Sequence, residues 1–252
     1  MGLESSKRLR TLAGCVAPGT KTLADVGTDH GFLPILAVKT GRAQRAIACD
    51  VKPGPLARAA VHIREHGLEG RVETRLGSGL SVLSPGEADC AVFSGLGGRL
   101  MMELLAASPD ALEGLEQLIL QPQRDLPAVR RYVTENTPFA IRAERFVLED
   151  GQGYFVLDCR KAGRSEKVAY TGRDCYLGKF LAQAGGVEYR KYIGLLVDKM
   201  KRILARQRGA DSAAVSETAQ KLVWLEDEYA ACVLGHGEDG GAGPAGTDHP
   251  AG

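Results

Sequence analysis

The sequence predicts a mainly parallel, doubly wound α/β sheet followed by a helical hairpin. Two observations carry this expectation. Strand-like and helix-like segments alternate as far as about residue 160, and after about residue 165 the texture changes to long helical periodicity. Strands alternating with helices imply right-handed crossovers and parallel neighbours.

Seven strands are expected from apolar and β-branched runs. They are "TLADV" (22–26), "RAIACD" (45–50), "RVETRL" (71–76), "DCAVFSG" (89–95), "EQLILQ" (116–121), "FAIRAERFVLE" (139–149) and "GYFVLDC" (153–159). Helices fall between the first six, among them "PLARAAVHIREHG" (55–67) and "DLPAVRRYVTEN" (125–136). Only "DGQG" (150–153) separates the last two strands, which fits a hairpin turn. A βαβ series that closes on an antiparallel hairpin is the layout of a Rossmann-like class I methyltransferase sheet.

Residues 169–186 form an expected connector with one short helix. Two long helices follow, around 187–208 and 212–234, joined near Gly209. Ile193, Leu196, Met200 and Ile203 on the first recur at helical spacing, as do Val215, Thr218, Leu222, Leu225, Tyr229 and Cys232 on the second. This is the seam of an antiparallel coiled-coil hairpin. The expected domains are 1–165, 166–234 and a disordered Gly- and Pro-rich tail, 235–252, whose His236 and His249 are incidental.

The length of 252 residues suits one domain with an appendage. No apolar run approaches the roughly 18 residues of a membrane span, and the first residues lack the apolar core of a signal peptide. The six cysteines include no C-x-x-C pair, so a reducing cytoplasm and no metal site are expected. The expected oligomeric state is a monomer or weak dimer. A net charge of +1 says nothing about partners, but its distribution does. Between 187 and 209 lie Arg190, Lys191, Lys199, Lys201, Arg202, Arg206 and Arg208 against Glu188 and Asp198. The partner helix carries Asp211, Glu217, Glu226, Asp227 and Glu228 against Lys221. Part of this asymmetry can pair the helices; Lys199, Arg202 and Arg206 fall away from the seam, where they can meet phosphates.

Chemistry concentrates in "LADVGTDHGFLP" (23–34). In an open α/β sheet the ligand lies beyond the carboxyl ends of the strands. There the first strand delivers Asp25, Gly27, Thr28, Asp29 and His30. Two carboxylates repel a pyrophosphate and favour a cation such as the sulfonium and ammonium of S-adenosylmethionine. Asp29 could instead cap the helix that begins near Phe32. His62 and His66 read as ordinary helix residues. Asp50 ends the second strand, about twenty residues past the glycine turn, where a ribose diol is held; capping the next helix is the alternative. Ser78 in "LGSGL" lies where an adenine ring would sit. The glycines of "FSGLGG" (93–98) allow close backbone approach at the place of methyl transfer.

Together, "LADVGTDHGFLP", "AIACDVKPGPLARA", "RLGSGL", "SGLGG" and "LILQP" resemble the bacterial tRNA (adenine-N1)-methyltransferases that modify adenine 22 in the D-arm region. The likeness runs from about Arg8 to the terminal hairpin. It implies S-adenosyl-L-methionine as donor, tRNA as substrate and a C-terminal coiled coil that helps hold it. By this resemblance Asp25, Gly27 and Thr28 belong to the donor pocket, with Asp29 and His30 at the methyl-transfer region. Asp50 with Val51 takes the ribose, and Gly77, Ser78 and Gly79 the adenine. Ser94 and Gly95 border the donor, and Gly97, Gly98 and Phe32 the target base. The family usually has Asp where Ser78 stands, Met at Leu96, and Ala-Tyr at Gly31-Phe32. Adenine N1 attacks through a lone pair, so catalysis is expected to rest on in-line positioning and stabilisation of the resulting cation, with Asp29 the first candidate stabiliser and His30 the second.

Overall fold

The computed structural model describes residues 6–207 and 212–234. The tail at 235–252, the joint near Gly209, Arg208 and Asp211 lie outside the described residues. Seven strands form one sheet: β1 (Thr20–Val26), β2 (Ala43–Asp50), β3 (Val72–Leu76), β4 (Cys90–Leu96), β5 (Gln117–Pro122), β6 (Phe139–Glu149) and β7 (Gln152–Lys161). Their order is β3-β2-β1-β4-β5-β7-β6, with β7 antiparallel to both of its neighbours and the other pairs parallel. β6 and β7 join through Asp150 and Gly151, at φ 50° and 76°, with Glu149 opposite Gln152. Two central residues at positive φ match the right-handed twist of a hairpin.

Successive side chains along a strand face opposite ways. Leu23, Val92 and Ile119 therefore pack beneath α1 (Lys7–Cys15), α2 (Phe32–Lys39) and α3 (Pro53–Glu65). Their neighbours Ala24, Phe93 and Leu120 pack against α4 (Gly98–Ala106), α5 (Pro109–Gly114) and α6 (Leu126–Asn136). With both faces covered, the central strands are apolar at nearly every position.

The connector after β7 holds two short helices, α7 (Gly172–Leu177) and α8 (Leu181–Ala184), where one was expected. The cause is Gly178 at φ 92°, which breaks the segment beside Glu144. α9 (Gly186–Arg206) and α10 (Ser212–Leu234) run antiparallel, Tyr189 meeting Glu228 and Lys201 meeting Glu226. They do not form an isolated two-helix seam. Tyr189 and Ile193 of α9, with Leu225 and Cys232 of α10, share a cluster with Phe146 of β6 and Phe155 of β7. On α10 the expected seam residue Tyr229 is exposed and its neighbour Glu228 is buried instead. Packing against α7 as well as α9 widens the buried stripe to include Glu228, while Leu225 and Cys232 are buried as expected and the Tyr229 ring lies over Gly194 of α9. Glu228 accepts from Tyr189 Oη at 3.1 Å and from Arg173 at 3.0 Å, which satisfies the carboxylate there.

Arg130 of α6 fastens this helical unit to the sheet. It is fully buried, pairs with Glu144 of β6 at 2.7 Å, and donates to the carbonyls of Cys175 and Tyr176 at 3.0 Å each. Burial pushes the Glu144 carboxyl up, and the Arg130 charge partly opposes this.

Candidate active site

The carboxyl ends of β1 to β5 converge on one edge of the sheet. After β1 the chain makes a tight turn stitched to β2, with Gly27 and Thr28 both donating backbone N–H to Cys49 O at 2.9 Å. Gly27 has φ 77°, and a Cβ there would collide with Leu96 of the β4 loop. His30 and Gly31 are also left-handed, at φ 63° and 68°. The turn thus has a fixed and costly shape, as ligand-gripping loops often do.

Asp25 is buried, and burial raises its carboxyl to about 6; the neighbouring Thr28 hydroxyl and the Arg8 charge pull the other way. Thr28 Oγ1 is itself buried with no hydrogen-bond partner of normal geometry. Asp29 is exposed, with Oδ1 2.9 Å from Arg58 Nη2 and 3.5 Å from His30 Nε2. It does not cap α2, whose N-cap is Gly31 with no side-chain bond. The capping alternative therefore fails. Phe32 and His30 stack with His62 of α3, at ring separations of 4.7 to 5.4 Å, and His62 Nδ1 lies 2.8 Å from His30 O. His62 is thus part of this turn's support and not an ordinary surface residue; a lone His at helical spacing gives no sign of it.

Asp50 Oδ1 accepts from Lys52 N at 2.7 Å. Lys52, not Asp50, is the N-cap of α3, so that alternative fails too. Gly77 N donates to Asp50 O at 2.9 Å, which seats the β3 loop beside the β2 end. Val51 and Leu76 are exposed there, 59% and 61%, and flank this seat with apolar surface. Ser78 is exposed, while Gly79 at φ 59° packs on Leu104. In the β4 loop Ser94 is half-buried and Gly95, at φ 75°, donates to Gln121 Oε1 at 3.2 Å. Gly97 has open space where a Cβ would be. Gly98 does not: it is buried against Arg124 O and Asp125, so it packs the loop instead of lining an open face.

Arg8 Nη1 reaches the same Gln121 oxygen at 3.2 Å. No role at this edge is assigned to Arg8, Arg58 or Gln121 from the sequence, although Arg58 and Gln121 lie within the strings that resemble the family, because only the fold brings them here. Lys199, Arg202 and Arg206 occupy a different surface. With Lys191 and the apolar Tyr192 and Leu195, they line a groove of about 550 Å³ between α9 and the β6–β7 hairpin. No carboxylate pairs with these three among the described residues, whereas Lys201 is tied to Glu226 at 2.9 Å. Among the described residues no cluster could hold a metal ion, and no helix is long and apolar enough to cross a membrane.

This strand order, with acidic and glycine turns at the ligand edge, defines a class I methyltransferase, and the Methyltransferase domain family matches residues 5–157. The chain is 33% identical over 241 residues to the tRNA (adenine(22)-N(1))-methyltransferase of Bacillus subtilis (strain 168), covering 93% of this chain and 99% of that one. It belongs to the tRNA (adenine(22)-N(1))-methyltransferase family. Among solved structures, the B. subtilis M1A22 tRNA methyltransferase TrmK superposes with a TM-score of 0.77 at 28% identity, over 90% of this chain and 100% of that one. A Streptococcus pneumoniae protein in complex with S-adenosyl-L-methionine gives 0.78 at 27% identity, over 89% and 99%.

Proposed function

We propose that this chain transfers a methyl group from S-adenosyl-L-methionine to N1 of adenine 22 in tRNA. The observation that carries the reading is the acidic turn after β1, at the ligand edge of a fold shared with the family along nearly the whole chain. The residues suit the donor. The buried Thr28 hydroxyl sits beside the Asp25 carboxylate at the donor end of the turn. Asp50 keeps one carboxylate oxygen free of Lys52 for a ribose diol. Val51 and Leu76 give apolar faces for an adenine ring beside Gly77, Ser78 and Gly79.

In this reading the donor supplies an electrophilic methyl group, and the chain supplies position and charge. Asp25 and Asp29 offset the donor's cationic groups, and Arg8 faces its carboxylate end. Gly95 and Gly97 let backbone come close to the reacting atoms. No base is needed to activate N1. Asp29, steadied by Arg58 and His30, stabilises the positive charge that develops on the ring. The target is paired or stacked in folded RNA and has to be extruded; Phe32 and His30 offer ring faces near it. Lys199, Arg202 and Arg206 take backbone phosphates.

The proposed division is a catalytic domain over 1–165 and a tRNA-holding helical domain over 166–234, acting as a monomer or weak dimer. Six buried cysteines, with no disulfide among them, suit a reducing cytoplasm. The test is to incubate bulk unmodified tRNA with the protein and labelled donor, then map the labelled nucleotide. N1-methyladenosine at position 22 is expected; label elsewhere, or in protein, overturns the reading.

A further inference from the structure

A second cavity, about 340 Å³, lies between the loop after β5 and the C-terminal helices. Gln123 and Arg124 line one side, and Phe155, Tyr176 and Tyr192 give it aromatic faces. Its size is at the low end of the roughly 300–1,000 Å³ typical of small-ligand sites, room for one nucleobase and not for a duplex. Gln123 N donates to Leu96 O at 2.8 Å, and Gln123 Nε2 stands 3.8 Å from where a Cβ on Gly95 would be. The cavity's polar wall therefore adjoins the glycine loop at the methyl-transfer edge. Tyr192 and Leu196 line both this cavity and the basic groove of α9. A cationic groove with an aromatic cavity on the other side of Tyr192 and Leu196 suits an RNA strand with phosphates outside and one base turned in.

Resting on the tRNA reading above, we infer that this cavity receives the extruded target adenine and that Gln123 reads its N6/N7 edge. A glutamine amide offers one acceptor and one donor, the complement of adenine N6 and N7. Recognition through that edge leaves the N1 lone pair free, whereas contact with the Watson–Crick edge would occupy the atom to be methylated. Gln123 is exposed, and its side-chain amide makes no hydrogen bond among the described residues.

The test uses the full chain and two tRNA transcripts. One carries 2-aminopurine at position 22, and at saturation its emission reports stacking. The parent should quench it, and Tyr192→Leu should leave it brighter; equal emission overturns the cavity assignment. The other carries 7-deazaadenine at that position, which lacks the N7 acceptor. It should lower the parent's kcat/KM by roughly ten- to a hundredfold. Gln123→Ala should lose a similar factor on ordinary tRNA and nothing further on the deaza transcript. Additive losses, or an undiminished rate for Gln123→Ala, overturn its role. If the parent methylates no adenine at position 22, the proposed function fails, and the emission comparison still decides the cavity.

Discussion

Charge is handled oppositely at the strand edge and on α9. In the turn after β1 it is held within the protein: Asp29 is tied to Arg58 and His30, and Asp25 is buried, with its carboxyl raised to about 6. The loop is therefore less negative than its sequence suggests. On α9, Lys199, Arg202 and Arg206 stand on an open groove whose one lining carboxylate, Glu188, is paired with Lys7, while Lys201 is paired with Glu226. A shielded, partly neutralised site suits one small cation held in a fixed pose. An open row of uncompensated cations suits a polyanion held loosely and screened by salt.

The joint between the two regions gives the largest expected effect. Arg130→Ala leaves Glu144 buried and uncompensated, which should cost about 3–5 kcal/mol. It also frees the carbonyls of Cys175 and Tyr176. Denaturant midpoints measure this, with the slope checked for two-state behaviour. Arg130→Met combined with Glu144→Leu should recover most of the loss. A cost below about 1 kcal/mol for the single variant would mean that the regions are held together elsewhere.

Within the strand edge, Asp29→Ala should lower methyl transfer by about a hundredfold or more, the usual scale for removing a transition-state charge partner. Its side chain is 68% exposed, so stability should change by less than about 1 kcal/mol. An unchanged rate in the folded variant would reduce Asp29 to a brace for Arg58.

The same contrast explains what is legible in the sequence. The strands are readable to within about three residues because a sheet covered on both faces needs unbroken apolar runs. The acidic turn is readable because Asp25, Gly27 and Asp29 are neighbours in the chain. Arg8 and Gln121 are not, since they lie 113 positions apart and meet only through the fold. Helical spacing finds the apolar face of α10 and its phase at Leu225 and Cys232, but not the buried Glu228. Burial of Glu228 depends on α7 and on its pairing with Arg173 and Tyr189, which spacing cannot show, while the Tyr229 ring lies over Gly194 of α9. Gly98 reads as a ligand-side glycine because its string resembles one; the packing of Arg124 against it is long-range information.

On α9, neutralising Lys199, Arg202 and Arg206 together should weaken tRNA binding broadly. The salt dependence should flatten by about one unit for each phosphate that is no longer neutralised. Donor affinity should stay unchanged, because the groove shares no residue with the strand-edge loops. A salt slope equal to the parent's would assign the groove to another partner.

Asp25 makes the strand edge pH-sensitive where α9 is not. Its folded carboxyl titrates near 6, above the ordinary 3.8, so the folded chain holds a proton that the unfolded chain has lost between those values. Stability from this group is present at low pH and falls as pH rises through about 6. Donor binding runs the other way, because a cation prefers the carboxylate. Donor affinity should weaken by about tenfold per pH unit below 6 and level off above 7. Asp25→Asn should remove the dependence, and calorimetry from pH 5 to 8 measures it; a flat profile for the parent would take Asp25 out of contact with the donor's charge.

The smallest effect tests the far end of the same edge. Ser78 is exposed in the β3 loop, beside the apolar Val51 and Leu76 and close to Asp50. A serine hydroxyl can accept from an adenine amino group, but it is short and also donates to water. A carboxylate at this position accepts only, and a hydrogen bond to a charged acceptor contributes about 1.5–3 kcal/mol against about 1 for a neutral one. Exposure screens part of that difference, and Asp50 nearby adds a like charge that opposes it. Ser78→Asp should therefore tighten donor binding by only a few-fold, read by calorimetry at pH 7.5, and hardly alter tRNA affinity. The gain should disappear with a donor analogue that lacks the adenine amino group. Unchanged or weaker binding of the ordinary donor would move the adenine away from Ser78, leaving Val51 and Leu76 as an apolar platform without an amino contact.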